Sequence, residues 1–464
     1  MTKGRPVNLI LAFALPMMLG NILQQFYNLA DASIVGKFLG PGALAAVGAT
    51  SSVQFLILGF CFGTCGGFCV PIAQKYGAED YSSMRRLLFN SAVLTGVIAA
   101  VVTTLCCILT PQILRILNTP ADIWDDTYIY IFVIFLGIPP MLLYNLSAGI
   151  LRAIGDSKTP FIVLAISAVL NIVLDTLCIA VFKWGCAGAA LATVASQAMS
   201  GIMCVAVILK KYKFLHPDRD ERTLSGMLCR NLLGVGIPMG LQFSITAIGS
   251  MVLQAANNGL GSMYSTAFTA ATRIKAFAMC PFDAMASAVA TFCSQNYGAG
   301  QAKRVEEGVR VGCIAATIYG AVAGLLLFSF GRTACMVFLP ASETKILDAA
   351  ALLLRLNSGL FIVLGLLNVC RTVVQSLGYS GRAVFSGVME MFARSLIAIF
   401  LVSSYGFTAI SIADPAAWLA ADIYILPMCF FTLHNVRKTM KAKESAEALK
   451  VQPRKKCRRA ALAH

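Results

Sequence analysis

Charge is what this sequence has least of. Only 12% of its 464 residues are Asp, Glu, Lys or Arg, about half the fraction usual for a soluble domain. Too few charges remain to clothe a water-facing surface, which excludes an ordinary soluble fold. Histidine is scarcer still: His216, His434 and His464 are the three, all outside the apolar runs or at their edge. No nucleophile motif, phosphate loop or His-based metal set appears, so the chain reads as no enzyme. Short alternating apolar and polar segments are missing, which argues against a transmembrane barrel. No RNA- or DNA-binding motif is present. After "MTKGRPVN" the first apolar stretch lacks a short h-region and an A-x-A-like site, so no removable signal peptide is expected.

Hydrophobicity is what the sequence has most of: 58% of residues, with a mean hydropathy of +0.77. Apolar runs of roughly 20 residues recur throughout, each able to cross a hydrocarbon core of about 30 Å. The chain is read as an all-α integral membrane protein of twelve transmembrane helices. The spans lie near 7–36, 43–72, 87–110, 127–149, 161–182, 186–209, 231–256, 264–292, 309–331, 347–370, 383–403 and 412–433. The net charge of +16 follows from topology rather than from a nucleic-acid partner, since Lys and Arg crowd into alternate connections and the tail. The opposite side holds only Lys37, Arg115, Lys183, Arg332 and Lys345. The richer side is expected to be cytoplasmic, with both termini on it. Nearly all of the 16 cysteines fall inside apolar runs. Cys61, Cys65 and Cys69 share a helix face and, with no His beside them, read as small apolar residues rather than a metal site. A chain of this size needs no disulfide framework.

The halves repeat. "ALPMMLG" (14–20) matches "GIPMGLQ" (236–242), "QKYGA" (74–78) matches "QNYGA" (295–299), and "AIGDS" (153–157) matches "SLGYS" (376–380), all at a spacing of about 222 residues. Each copy holds six spans. Six is even, so the copies enter from the same side as parallel repeats, with a substrate path expected between them. This gives an N-lobe (1–209), a cytoplasmic linker (210–230), a C-lobe (231–436) and a basic tail (437–464) around a central cavity. The tail, with its run "RKKCRR", reads as solvated and partly disordered, and can touch anionic lipid.

Against this apolar background, span 1 carries Asn21, Gln24, Gln25, Asn28 and Asp31. At 100° per residue the five fall within about 120°, with Tyr27 at the edge. One stripe of this kind fits a polar cavity inside a bundle. Pro16 stands one turn before it, as a moving hinge or a fixed kink. Span 5 adds Asn171 and Asp175, and span 6 adds Thr193 and Gln197, each pair four residues apart and so on one helix face. Asp31, Asn171, Asp175 and Thr193 together offer the oxygens of a hard-cation site such as Na⁺. Two acids brought together are equally a site for one proton. No Lys or Arg lies in spans 1, 5 or 6 to neutralise them. The second copy differs: Leu253 stands where Asp31 does, and Glu390 and Arg394, four apart on span 11, can pair with each other as a structural or a coupling element. Arg273, Lys275 and Asp283 on span 8 are open to pairing, to snorkelling or to a place in the cavity.

These stretches resemble the MATE (multidrug and toxic compound extrusion) family, in its bacterial branch, over nearly the whole chain. The likeness rests on "LPMMLGNILQQFYNLADASIVGKFLG" (15–40), "QKYGAED" (74–80), "GILRAIGDSKTP" (149–160) and "NIVLDT" (171–176). It implies that Asp31, Asn171, Asp175 and Thr193 form the cation or proton site. It further implies that Pro16, Gln24, Tyr27, Tyr130 and Asn145 line the N-lobe cavity. Some branches carry another acid on span 10, where this chain has Arg355, Asn357 and Asn368. "GILRAIGDSKTP" is read as a structural connection, with Gly155–Asp156 suited to a turn and Pro160 to a helix start. The resemblance implies a secondary active exporter of cationic or amphipathic small molecules in the bacterial plasma membrane. It would work by alternating access with Na⁺ or H⁺ antiport, without a cofactor, as a monomer in contact with lipid. The alternative is a lipid-linked oligosaccharide flippase of a related fold, which Arg273, Lys275, Arg355 and Arg394 would serve if they faced the cavity unpaired.

Overall fold

The computed structural model describes residues 1–117 and 119–460, the side chains of Pro41 and of 443–460 apart. The run "RKKCRR" and His464 therefore lie outside the described side chains. Among the described residues the protein is all helical, with no strand. Ten helices are long and apolar enough to cross a membrane, and there are twelve spans if each of two bent pairs is counted as one.

Spans 1 to 3 are α1 (Pro6–Leu39), α2 (Pro41–Gly77) and α3 (Tyr81–Ile116). Span 4 is α4 (Trp124–Leu136), led by a 3₁₀ turn, then α5 (Ile138–Ala153). Span 5 is α6 (Lys158–Thr176), ending in a π turn (Leu177–Val181), and span 6 is α7 (Gly185–Lys211). The second half runs α8 (Gly226–Asn258), α9 (Ser262–Gly298) and α10 (Ala302–Cys335). Span 10 is α11 (Thr344–Ser358) with α12 (Phe361–Ser376), and span 11 is α13 (Ser380–Leu396) with a π turn (Ile397–Leu401) and α14 (Val402–Tyr405). Span 12 is α15 (Phe407–Ala460).

Three expectations change. Spans 4 and 10, read as single helices, are each broken, by 44° and 53°. In span 4, Pro139 and Pro140 open α5; lacking N–H groups, they stop the α4 ladder from running through. In span 10 no proline announces the break, which falls at Gly359 and Leu360. Next, α8 starts at Gly226, inside the segment read as linker. Finally, α15 carries on as helix into the tail as far as Ala460.

The repeat is visible in the packing. α1 packs on α6 and α8 on α13; α5 packs on α7 and α12 on α15. Across the lobes α1 packs on α9 while α8 packs on α2, the two contacts that a two-fold exchange would swap. Both π turns occupy equivalent places, and Gly155 (φ +98°) and Gly378 (φ +91°) make the same left-handed turn before spans 5 and 11. The two seams differ in closeness. Between α2 and α8, a Cβ added to Gly67 would lie 2.5 Å from Gly236 Cα, and one on Gly63 2.9 Å from Gly240 Cα. Backbones meet there because small residues let them. Between α1 and α9, Phe26 meets Phe277 edge-on at 5.1 Å, and Asn21 Nδ2 donates to the Cys280 carbonyl at 3.3 Å.

The halves are not sealed units. Ile10, Phe13 and Ala14 of α1 pack in one core with Phe282, Phe292, Phe361 and Trp418 of the C-lobe. Beyond Pro16, Gly20 approaches Phe161 and Leu164 of α6. Pro16 thus stands where α1 passes from C-lobe to N-lobe packing. Cys61, Cys65 and Cys69 are free thiols buried in the N-lobe core with Phe68 and Phe135.

Connections on the side of the termini are tied by charge. The Thr159 backbone N–H and hydroxyl donate to Asp156 (2.9 and 2.5 Å), as does the Tyr212 hydroxyl (2.6 Å). This secures the turn of "GDSKTP". Arg85 grips Glu221 of the linker with two hydrogen bonds (2.5 and 2.7 Å) and holds that carboxyl down at about 2. Asn90, also on α3, donates to the Thr223 carbonyl (3.1 Å) and accepts from the Ser225 N–H (3.0 Å).

Candidate ion and substrate site

The acids of spans 1 and 5 come together. α6 presents Asn171 and Asp175 from one face, both fully buried, and α1 presents Asp31 against them. The Asp31 and Asp175 carboxyls are within hydrogen-bonding reach of each other. Yet Asp31 Oδ1, both Asp175 oxygens and both polar atoms of the Asn171 amide are buried with no protein hydrogen-bond partner. Buried polar groups are nearly always satisfied, and five such atoms gathered in one cluster make it the candidate ion site. No ion pair reaches either acid among the described residues. Tyr27 and Tyr130 stand beside both carboxyls, and the Tyr27 hydroxyl donates to Thr193 Oγ1 at 3.4 Å. The sequence-derived quartet is therefore contiguous: three members hold unpaired atoms, and Thr193 joins through Tyr27.

The same tyrosine forms the wall of a small cleft. Gln24, Tyr27, Leu164, Ser167, Ala168, Ser196 and Gln197 line it, from α1, α6 and α7. The Ser167 hydroxyl donates to the Ser196 carbonyl (2.8 Å) and ties α6 to α7 at its back. The rest of the expected lining is dispersed. Gln25 is half-buried and Asn28 exposed, and neither is among the lining residues, although Gln24 donates to Asn28 at 3.4 Å. Asn145 turns its amide back to its own helix, donating to the Met141 carbonyl at 2.8 Å. A stripe defined by angle alone thus divides by depth: Asn21 reaches the C-lobe, Gln24 and Tyr27 the cleft, and Asp31 the buried acids.

Sequence reasoning missed Thr50 and Gln54 of α2. Gln54 Nε2 donates to Thr50 Oγ1 (2.8 Å), and Gln54 reaches Tyr130 beside the acids. Their spacing of four residues is the signal that would have found them.

The C-lobe equivalent is an ion-pair ladder. Lys275 of α9 pairs with Asp414 of α15, and Asp414 also accepts from Arg394 Nε of α13 (2.8 Å). Arg394 reaches Glu390 (3.2 Å), as expected, but Glu390 is also paired with Arg371 of α12. Arg371 Nε further donates to Ser386 Oγ (3.0 Å). Lys275 is thus neutralised by Asp414 and not by Asp283, which exposes surface and faces the Asn368 amide at 3.5 Å. Asp414 was not singled out in the sequence, because its partners come from helices remote in the chain; nor was Asp422, which is buried with Oδ1 unpartnered.

The MatE family model matches residues 16–177 and again 238–401. The chain belongs to the MATE family of multidrug transporters. The probable multidrug resistance proteins YoeA and YpnP of Bacillus subtilis are similar to it. YoeA is 28% identical, over 82% of this chain and 83% of that protein; YpnP is 29% identical, over 90% of each. Among solved structures, a MATE in complex with MaL6 superposes with a TM-score of 0.86 at 22% identity, covering 94% of this chain and 98% of that one. This MATE protein is therefore a multi-pass membrane protein of two six-span lobes. The first matched stretch contains Asp31, Asn171 and Asp175; the second contains Glu390 and Arg394 but stops short of Asp414.

Proposed function

We propose that this MATE protein is a secondary active multidrug exporter of a bacterial cytoplasmic membrane, with both termini cytoplasmic. It exchanges Na⁺ or H⁺ for cationic or amphipathic small molecules. The observation that carries this reading is the unpartnered cluster of Asp31, Asn171 and Asp175, with Thr193 joined through Tyr27. Its oxygens suit a hard cation. The same two carboxyls can instead share one proton, since two like charges held together in a poorly screened pocket favour keeping it. Either ion removes negative charge next to Tyr27, which belongs to both the acid cluster and the cleft. A cationic drug held near Gln24, Tyr27 and Gln197 is then bound less tightly. Exchange follows if drug and ion favour different arrangements of the lobes. Inward movement of each ion is favoured by about 2.3 kcal/mol per 100 mV of membrane potential.

The flippase reading calls for unpaired cations around a central cavity. Of the four cations that reading names, Lys275 and Arg394 are engaged by Asp414 and Glu390, which supports the export reading, while Arg273 and Arg355 are exposed with no ion pair among the described residues. The test is efflux of a fluorescent organic cation from proteoliposomes, with Na⁺ and H⁺ gradients imposed separately. One gradient is expected to drive export, and Asp31→Asn to abolish that dependence. Export by Asp31→Asn with unchanged ion dependence would remove the site assignment.

A further inference from the structure

Two copies of one short motif meet across the lobes. Gln-x-Tyr-Gly ends α2 at 74–77 and ends α9 at 295–298. Gln74 Nε2 donates to the carbonyl of Ser376, the last residue of α12 (2.9 Å), which also accepts from the Ser294 hydroxyl of α9 (3.0 Å). Gln295 Nε2 donates to the carbonyl of Ala153, the last residue of α5 (2.7 Å). Each glutamine leaves its own lobe and caps a helix in the other. Each acceptor is a terminal carbonyl with no donor one turn further along its own helix. Between the two bonds the helices touch backbone to backbone. A Cβ on Gly77 would lie 1.9 Å from the Gln295 oxygen, and one on Gly298 1.7 Å from the Gln74 oxygen. Only hydrogen fits in either place.

We propose that the paired motifs are a two-fold latch that holds the lobes shut on the side of the termini. Both bonds must part before the central cavity can open to that side. The proposal rests on the alternating-access reading for its purpose, but not for its geometry. Both bonds join neutral groups, so the latch answers to neither ion nor drug directly. It sets the resting balance against which they act. Gln295 also accepts from the Met1 nitrogen (2.6 Å), so removing its amide is expected to act at least as strongly as removing that of Gln74.

The test is a distance measurement on the full chain in lipid nanodiscs, without drug or gradient. Spin labels on non-natural residues replace Arg86 and Glu307, which are exposed and stand one in each lobe just past the latch. The parent is expected to show one short-distance population. Gln295→Ala should raise the long-distance population about tenfold, the effect of leaving the buried Ala153 carbonyl unpaired; Gln74→Ala should raise it by a smaller factor, since the Ser376 carbonyl keeps the Ser294 hydroxyl, and the double variant should exceed either. Gly77→Ala should widen the distribution while keeping both amides. A double variant with the parental distribution, or a response from only one glutamine, overturns the latch. Should the double variant not fold, Gln295→Met carries the test: it keeps the bulk and removes the donor to Ala153, and an unchanged distribution overturns the proposal. Because the distances need no transport, the two readings fail separately. A latch that opens as expected in protein without ion-driven export removes the transport reading alone.

Discussion

The N-lobe buries two acids that no ion pair reaches, whereas the C-lobe sets Glu390 and Asp414 among three cations in one ladder and leaves only the buried Asp422 outside it among the described residues, with Oδ1 unpartnered. Both lobes come from the same six-span plan, and both place their charges on spans 5 and 11 or packed against them. In the C-lobe ladder each charge is satisfied by the next, so nothing has to arrive from outside. In the N-lobe no ion pair among the described residues reaches either acid, and on the proposed reading an ion from outside does that work. An internal ion pair and an external ion are two solutions to the same desolvation problem, and only the second can couple to a gradient.

The comparison can be broken most forcefully at its acids. Asp31→Asn and Asp175→Asn are each expected to abolish ion-dependent export while leaving the melting temperature in detergent unchanged or raised, since no ion pair is lost. Glu390→Gln should do the reverse. It leaves Arg371 and Arg394 buried with one neutraliser fewer, at a cost of about 3–5 kcal/mol, read by chemical denaturation. If Glu390→Gln is as stable as the parent, the ladder is not what holds the C-lobe together. The seams give a smaller contrast. Gly67→Ala forces a Cβ against Gly236 and is expected to cost about 1–3 kcal/mol. Phe26→Ala, at a residue 56% exposed, should cost only about 0.5–1.5 kcal/mol beyond the lost area. The smallest effect is at the linker. The Glu221 carboxyl is held at about 2 against an ordinary 4.5, so its contribution is full above pH 4.5 and lost as the pH falls through 2. The stability difference between the parent and Glu221→Gln should therefore be larger at pH 7 than at pH 3.

What could be read from the chain followed helical spacing. Asn171 and Asp175 are four residues apart and share a face wherever span 5 lies, so their joint burial was legible. The stripe of span 1 was legible as a direction but not as a depth, which is why Asn21, Gln24 and Asp31 end in three surroundings. Asn145 could not be placed from spacing, because its amide had the choice of a cavity or its own helix. The ladder was half legible. Glu390 and Arg394 are neighbours on one helix, but Asp414 reaches Lys275 across 139 positions of sequence, and no local pattern announces that meeting. The break in span 4 was written as Pro139–Pro140; the break in span 10 carries no residue that forbids a straight helix.

The π turns at Leu177–Val181 and Ile397–Leu401 allow the two halves to be placed in time. Such turns are rare and hold one residue more than an α-helical turn of the same length. Finding one at the equivalent point of each half is what descent of both from a single six-span unit would leave. The charges beside these turns do not match, so they parted company afterwards. The ancestor would have assembled as two identical units, and its electrostatics would have been the same on both sides. On the proposed reading, one lobe binds an external ion while the other carries a ladder of its own counter-charges, a division of labour open to two different halves in one chain and not to two identical ones.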